Sequence, residues 1–143
     1  MRFLQAIGDC QKKLEQFEAS TKTYDSALKL FDSGDKNSNN KIKGDIMHSK
    51  AENYRHLNNL AKAMECFKES LETKQNRLDS AKQYSIALTL NSIGICYEEL
   101  GEFQKALDEY CKAREHLKVQ KKTKTQIIYC QCCLIMKAFA SKN

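Results

Sequence analysis

Proline is absent from this chain of 143 residues, and glycine occurs only five times. Because these two residues are the usual interruptions of helices, the sequence contains few obligatory breaks. No run of apolar residues approaches the roughly 20 that a membrane-spanning helix needs. The N-terminal segment also lacks the apolar stretch of a signal peptide. These absences favour a soluble helical protein without a membrane partner.

Charge and cysteine content indicate a folded domain, its partners and its cellular compartment. Charged residues make up 29% of the chain and hydrophobic residues 41%, a balance typical of a folded globular domain. The net charge is +6, but the basic residues are spread along the whole chain, so we predict no nucleic-acid partner. Seven cysteines, an odd number, in a helical sequence of this kind favour a reducing compartment. We therefore expect an intracellular, cytoplasmic protein.

Small and aromatic residues recur along the chain at intervals of 43 residues. Five sets of three positions share this interval: Gly8, Ala51 and Gly94; Phe17, Leu60 and Phe103; Ser20, Ala63 and Ala106; Tyr24, Phe67 and Tyr110; Ala27, Ser70 and Ala113. A fixed period of this length indicates stacked helical repeats. We predict one domain over residues 1–143, built from units at 1–43, 44–86 and 87–129 and a partial fourth unit at 130–143. We also expect either that the chain is part of a longer array or that its ends meet a partner.

Each unit carries the pattern of two amphipathic helices packed antiparallel. In the second helix the order small–large–small, at spacings of four and three, places three residues on one face. We expect helices at residues 2–14, 17–32, 45–57, 60–76, 81–99, 103–120 and 125–140. The predicted fold is all-α, a right-handed α-solenoid of antiparallel helix pairs with three repeats plus one extra helix. The apolar helix at 125–140 offers a surface for self-association.

The third unit resembles the tetratricopeptide repeat. The residues that carry the resemblance are Gly94, Tyr97, Gly101, Phe103, Ala106, Tyr110 and Ala113. Leu90 stands where this family often has tryptophan, Lys50 replaces an apolar residue in the middle unit, and the proline that ends the family's repeat is missing. The common repeat has about 34 residues, so these units are long. In length, and in the segment Thr89-Leu90-Asn91, they resemble the repeats of kinesin light chains and related adaptors.

The resemblance implies a protein-interaction scaffold or adaptor that holds a peptide or helical segment of a partner protein in a concave groove. The first helix of each unit lines this groove, at Gln5, Asp9, Lys12, Lys13, His48, Ser49, Glu52, Arg55, Asn91, Ser92, Ile95 and Glu98. The amide of Asn91 can both donate to and accept from a peptide backbone, although a solvated helix residue explains Asn91 equally well. The alternative function is a regulatory sensor whose ligand or metal binding controls association with another domain.

Other motifs do not support reactive chemistry. Zinc takes four ligands, whereas Cys130, Cys132 and Cys133 are three neighbours on one predicted helix, where packing explains them better. The segment at residues 35–42 begins like a calcium-binding loop, but Asn40 and Ile46 replace its glycine and its bidentate glutamate, which favours an exposed loop between units. No spacing pairs a nucleophile with a base. We predict no enzyme activity and no catalytic, cofactor or metal site.

Overall fold

The computed structural model describes residues 2–31 and 40–118, and the elements within these ranges are six α-helices. They are α1 (Arg2–Lys13), α2 (Phe17–Phe31), α3 (Asn40–His56), α4 (Leu60–Gln75), α5 (Lys82–Glu99) and α6 (Phe103–Lys118). The all-α prediction is confirmed for the described residues, and five of the six helices predicted there agree with the structure within two residues at each end. None of the described helices is long and apolar enough to cross a membrane. The helix predicted at 125–140 lies outside the described residues.

Helix α3 begins at Asn40, so the predicted start at residue 45 is wrong. Residues 40–42, which were assigned to an exposed loop between units, belong to the helix. The added turn is anchored because Ile42 packs against the apolar cluster of Tyr24, Ala27, Phe31 and Ile46. Part of the extra length of this unit therefore extends its first helix.

The chain divides into two compact structural units, residues 1–77 and 78–143, which do not coincide with the 43-residue repeats of the sequence. In the first unit, α1 packs on α2, α2 on α3, and α3 on α4. In the second unit, α5 packs on α6. The arrangement is thus two helical hairpins in the first unit and one in the described part of the second. The right-handed superhelix and the single-domain organisation stay predictions.

The helices of a hairpin approach closely where the sequence has glycine opposite tyrosine. A β-carbon placed on Gly8 would lie 2.8 Å from Cδ1 of Tyr24, and one placed on Gly94 would lie 2.8 Å from Cδ1 of Tyr110. Both tyrosines are fully buried, so neither ring has room to move away. The contact between small and aromatic residues predicted from the period is confirmed in these two hairpins.

The turns inside the hairpins share one backbone feature. Glu15, Asn58 and Gly101 all adopt positive φ, at 60°, 61° and 78°. These positions are 43 residues apart, and each lies two residues before the second helix of its pair. A residue in this left-handed conformation ends the first helix and reverses the chain. The backbone therefore repeats every 43 residues, as the pattern of side chains in the sequence does.

Candidate protein-binding surface

The groove residues predicted on α1 and α3 meet on one surface of the first unit. The ammonium group of Lys12 forms an ion pair with the carboxylate of Glu52, and His48 Nε2 lies 3.2 Å from the same carboxylate. Seven of the eight predicted residues are partly exposed and one, Lys13, is exposed. We call this the α1–α3 surface; its residues are Gln5, Asp9, Lys12, Lys13, His48, Ser49, Glu52 and Arg55.

The ion pair between the two helices holds Glu52 as a carboxylate. Burial opposes the ionisation of Glu52, but the hydrogen bond from His48 and the charge of Lys12 outweigh it and lower its pKa to about 2. The pKa of His48 is lowered mainly by burial, which Glu52 only partly offsets. A neutral imidazole therefore donates its Nε2 proton to a charged carboxylate at neutral pH. The ion pair between Lys12 and Glu52 thus links α1 to α3.

Asp9 is positioned by a buried tyrosine of α2. The hydroxyl of Tyr24 donates a hydrogen bond to Asp9 Oδ1. Burial raises the pKa of Tyr24 well above its ordinary value, and the carboxylate of Asp9 raises it further. Tyr24 therefore stays protonated and keeps donating to Asp9, which is itself partly exposed.

Two clefts open on the α1–α3 surface, and Asp9 lines both. One has a volume of about 490 Å³ and lies between the N-terminal turns of the two helices; its walls are Arg2, Gln5, Ala6, Asp9, Lys41, Ile42 and Asp45. The other, of about 350 Å³, lies beside the turn after α1. One of its walls is the ring of Phe17, stacked on His56 with the centroids 4.7 Å apart. Both volumes lie toward the lower end of the range for ligand-binding clefts, and each can admit one or two side chains of a partner.

The predicted groove residues of α5 belong to the second unit. Asn91 and Ser92 are buried, with 9% and 8% of their surfaces exposed, whereas Ile95 and Glu98 are partly exposed. Ser92 donates its hydroxyl to the carbonyl of Leu88. Within the described part of the chain, Asn91 Oδ1 is buried without a hydrogen-bond donor. This burial does not fit a solvated residue, and a peptide contact at Asn91 stays a prediction.

A buried basic pair on the first unit was not predicted from the sequence. Lys74 and Arg77 expose only 2% and 4% of their surfaces, and their nitrogens lie 4.0 and 3.9 Å from Asp45 Oδ1. Burial is the main reason that the pKa of Lys74 falls to about 8. The 43-residue period could have indicated the burial of Lys74, because the equivalent positions of the other two repeats hold the apolar residues Phe31 and Leu117.

Within the ranges 2–31 and 40–118, Cys10 is exposed, Cys66 and Cys111 are partly buried, and Cys96 is buried. No three histidine, cysteine, aspartate or glutamate side chains in those ranges are close enough together to hold a metal ion. Cys130, Cys132 and Cys133 lie outside the described residues, as do residues 35–39 of the calcium-loop-like segment. The assignment of these cysteines to packing stays a prediction.

Paired helices in a 43-residue register, with glycine against tyrosine and an outward polar surface, define a repeat protein of the helical-hairpin class. The sequence profile of the tetratricopeptide repeat matches residues 43–118, more than half of the chain, and the chain belongs to this family. Comparison with curated proteins found no significant match. Repeats of this family commonly form protein–protein interaction modules, and the family is not an enzyme family. Membership of this family supports a general role in protein–protein interaction.

Proposed function

We propose that the protein is a scaffold or adaptor that binds a peptide or helical segment of a partner protein on the α1–α3 surface. The observation that carries this proposal is that helices from two successive 43-residue repeats, α1 and α3, together form one partly exposed surface with two clefts. The ion pair between Lys12 and Glu52 joins the two helices at its centre. A surface held in place before binding loses less freedom when a ligand binds.

The chemistry of this surface suits an extended polar peptide. Gln5 and Ser49 can each donate and accept hydrogen bonds, as a peptide backbone requires. Lys13 is exposed at the end of α1 and would attract an acidic side chain of the ligand. The stacked rings of Phe17 and His56 form an apolar wall against which one ligand side chain can pack.

The experiment is a selection of peptides from a random displayed library on the immobilised chain, followed by affinity measurements with variants. We expect Gln5→Ala and Lys13→Glu each to weaken the selected peptides at least about fivefold, the effect of losing one hydrogen bond or one favourable charge. Lys68→Glu makes the same charge change on exposed Lys68 of α4 and should leave the affinity unchanged. Equal affinities for all four proteins would refute the assignment of the site.

We also propose that the protein acts in the cytoplasm, without nucleic acid and without enzymatic activity. The support is the exposed thiol of Cys10, which would persist in a reducing compartment, and a charge of only +6 spread along the chain. Salt-dependent binding to a random duplex at physiological ionic strength would contradict the exclusion of nucleic acid.

A further inference from the structure

The smaller of the two clefts on the α1–α3 surface has an aromatic wall beside charged side chains. We call it the turn cleft, and it is lined by Asp9, Lys12, Lys13, Glu15, Phe17 and His56. These residues come from α1, from the turn after it, from the first residue of α2 and from the last residue of α3. The shape of the turn cleft is therefore set by three described helices of the first unit.

The aromatic wall is a stack of two rings from successive repeats. The rings of Phe17 and His56 lie nearly parallel, with 10° between their planes and 4.7 Å between their centroids. Phe17 is partly exposed and His56 is exposed, so a ligand can reach the stack. A planar ligand group can extend such a stack, and a cationic group is also attracted to the face of an aromatic ring.

The charges that line the turn cleft favour a cationic ligand group. The ammonium group of Lys12 is already paired with the carboxylate of Glu52, so the remaining charges are those of Asp9, Glu15 and Lys13. Where the imidazole of the wall is neutral, two carboxylates against one ammonium group leave an excess of one negative charge. A cationic side chain of the ligand compensates this excess, whereas an acidic one increases it.

Asp9 is held in place before a ligand binds. Tyr24 is fully buried, and its hydroxyl donates a hydrogen bond to Asp9 Oδ1. This bond uses one of the about four acceptor positions of a carboxylate, so Asp9 can still accept from the N–H groups of a ligand. A carboxylate that is already ordered loses less freedom on binding.

A guanidinium group has each property that the turn cleft selects. It is planar and always positively charged, and it can both stack on an aromatic ring and donate paired hydrogen bonds to a carboxylate. We propose that the turn cleft binds an arginine side chain of the partner protein. Its guanidinium group stacks on the wall of Phe17 and His56, and Asp9 and Glu15 balance its charge. Lys13, which is exposed, then pairs with an acidic ligand residue beside the arginine. This inference rests on the proposed function and names the ligand residue that enters one of the two clefts.

The next repeats do not reproduce this combination of residues. Forty-three residues after Glu15 and Phe17 stand Asn58 and Leu60, and the third repeat has Gly101 in place of the glutamate. We therefore expect a site of this composition only at the first turn. Because Leu60 begins α4 as Phe17 begins α2, leucine at position 17 is compatible with the fold.

A nuclear magnetic resonance titration of the isotope-labelled full chain with N-acetyl-arginine amide tests the site directly. At pH 8, where an ordinary imidazole is neutral, we expect saturable shifts around Glu15, Phe17 and His56, with a Kd on the order of 1 mM for a single side chain. N-acetyl-citrulline amide keeps the planar shape without the charge and should bind at least about fivefold more weakly. N-acetyl-lysine amide should bind at least about twofold more weakly, because an ammonium group cannot stack.

Three substitutions in the turn cleft should each weaken the binding of N-acetyl-arginine amide at least about threefold. Asp9→Asn and Glu15→Gln each remove a charge, and Phe17→Leu removes a ring of the wall. Glu18→Gln is the matched control, because Glu18 is exposed on α2 and lines neither cleft, and it should leave the affinity unchanged. Circular dichroism should show the same helix content for all four variants.

Lys13→Glu separates this inference from the proposed function. It should weaken the peptides selected from the library, but it should bind N-acetyl-arginine amide at least as tightly as the unmodified chain, because it adds a carboxylate to the turn cleft. The selected peptides should also share an arginine whose replacement by citrulline lowers their affinity.

Several results would overturn the arginine site while the proposed function stands. They are the absence of saturable shifts, equal affinities for the arginine compound and either of its analogues, cleft variants that bind as Glu18→Gln does, and selected peptides without a common arginine. Selected peptides that bind Gln5→Ala and Lys13→Glu as tightly as the unmodified chain would instead overturn the proposed function, and the inference with it.

Discussion

Replacing the buried Lys74 should change the free energy of unfolding in a way that depends on pH. Lys74 exposes 2% of its surface, and Oδ1 of Asp45 lies 4.0 Å from its Nζ. The other units place Phe31 and Leu117 at this position. Lys74→Leu should therefore stabilise the fold, because an apolar side chain of the kind found at the equivalent positions replaces an ammonium group whose charged form is disfavoured by burial.

The magnitude follows from the pKa. A lysine whose pKa falls from 10.5 to about 8 in the folded state lowers the free energy of unfolding at neutral pH by about 3 kcal/mol. Below pH 8 the amine is charged in both states and the whole cost is present; above pH 10.5 it is neutral in both states and the cost disappears. The contribution of Lys74 should therefore rise with pH, by about 2 kcal/mol between pH 7 and pH 9.5.

The assay is urea unfolding of the wild-type chain and Lys74→Leu at both pH values. We expect the variant to be more stable at pH 7 by up to about 3 kcal/mol, and the difference between the two proteins to shrink at pH 9.5. Lys68→Leu, on the exposed side of the same helix, should show no such pH-dependent difference. A gap between wild type and Lys74→Leu that does not change with pH would refute the reasoning, as would a less stable variant at pH 7.

Two further substitutions test the packing and the ion pair. Gly94→Ala should destabilise the second unit by about 1–2 kcal/mol, because overpacking against Tyr110 exceeds the gain in helix propensity; Gly44→Ala, which meets the flexible side chain of Lys74, should cost less in the same thermal melts. The free energy of unfolding that the wild type loses between pH 4.5 and pH 2 should be smaller in Glu52→Gln by up to about 3 kcal/mol. The reason is that a carboxylate with a lowered pKa stabilises the fold above this pH range and loses that contribution as the pH falls through it. An acid transition as steep as that of the wild type would contradict the low pKa of Glu52.

The hairpins were predictable from the sequence because their contacts repeat. Gly94 opposite Tyr110 is a local pairing within one unit, and the 43-residue period identifies it in two copies. The start of α3 was missed because residues 40–45 are polar or glycine except Ile42. They become helical through tertiary contacts of that isoleucine, which no local pattern shows.

The candidate surface was predictable only in part. The family resemblance placed Lys12, His48 and Glu52 among the groove residues, but it did not show that they bind one another. That pairing depends on the lateral distance between α1 and α3, which side chains of α2 such as Tyr24 set. The buried position of Lys74 was equally hidden, because lysine in a helix is expected on the solvated face.

The most direct measurement of the central proposal is a nuclear magnetic resonance titration. The isotope-labelled chain would be titrated with a peptide selected from the displayed library. The proposal predicts that the largest shifts fall on α1 and α3, at Gln5, Asp9, Ser49 and their neighbours, and that Lys13→Glu reduces them at equal peptide concentration. Shifts confined to α4 and α6, with α1 and α3 unchanged, would show that the partner binds elsewhere and would contradict the proposed function.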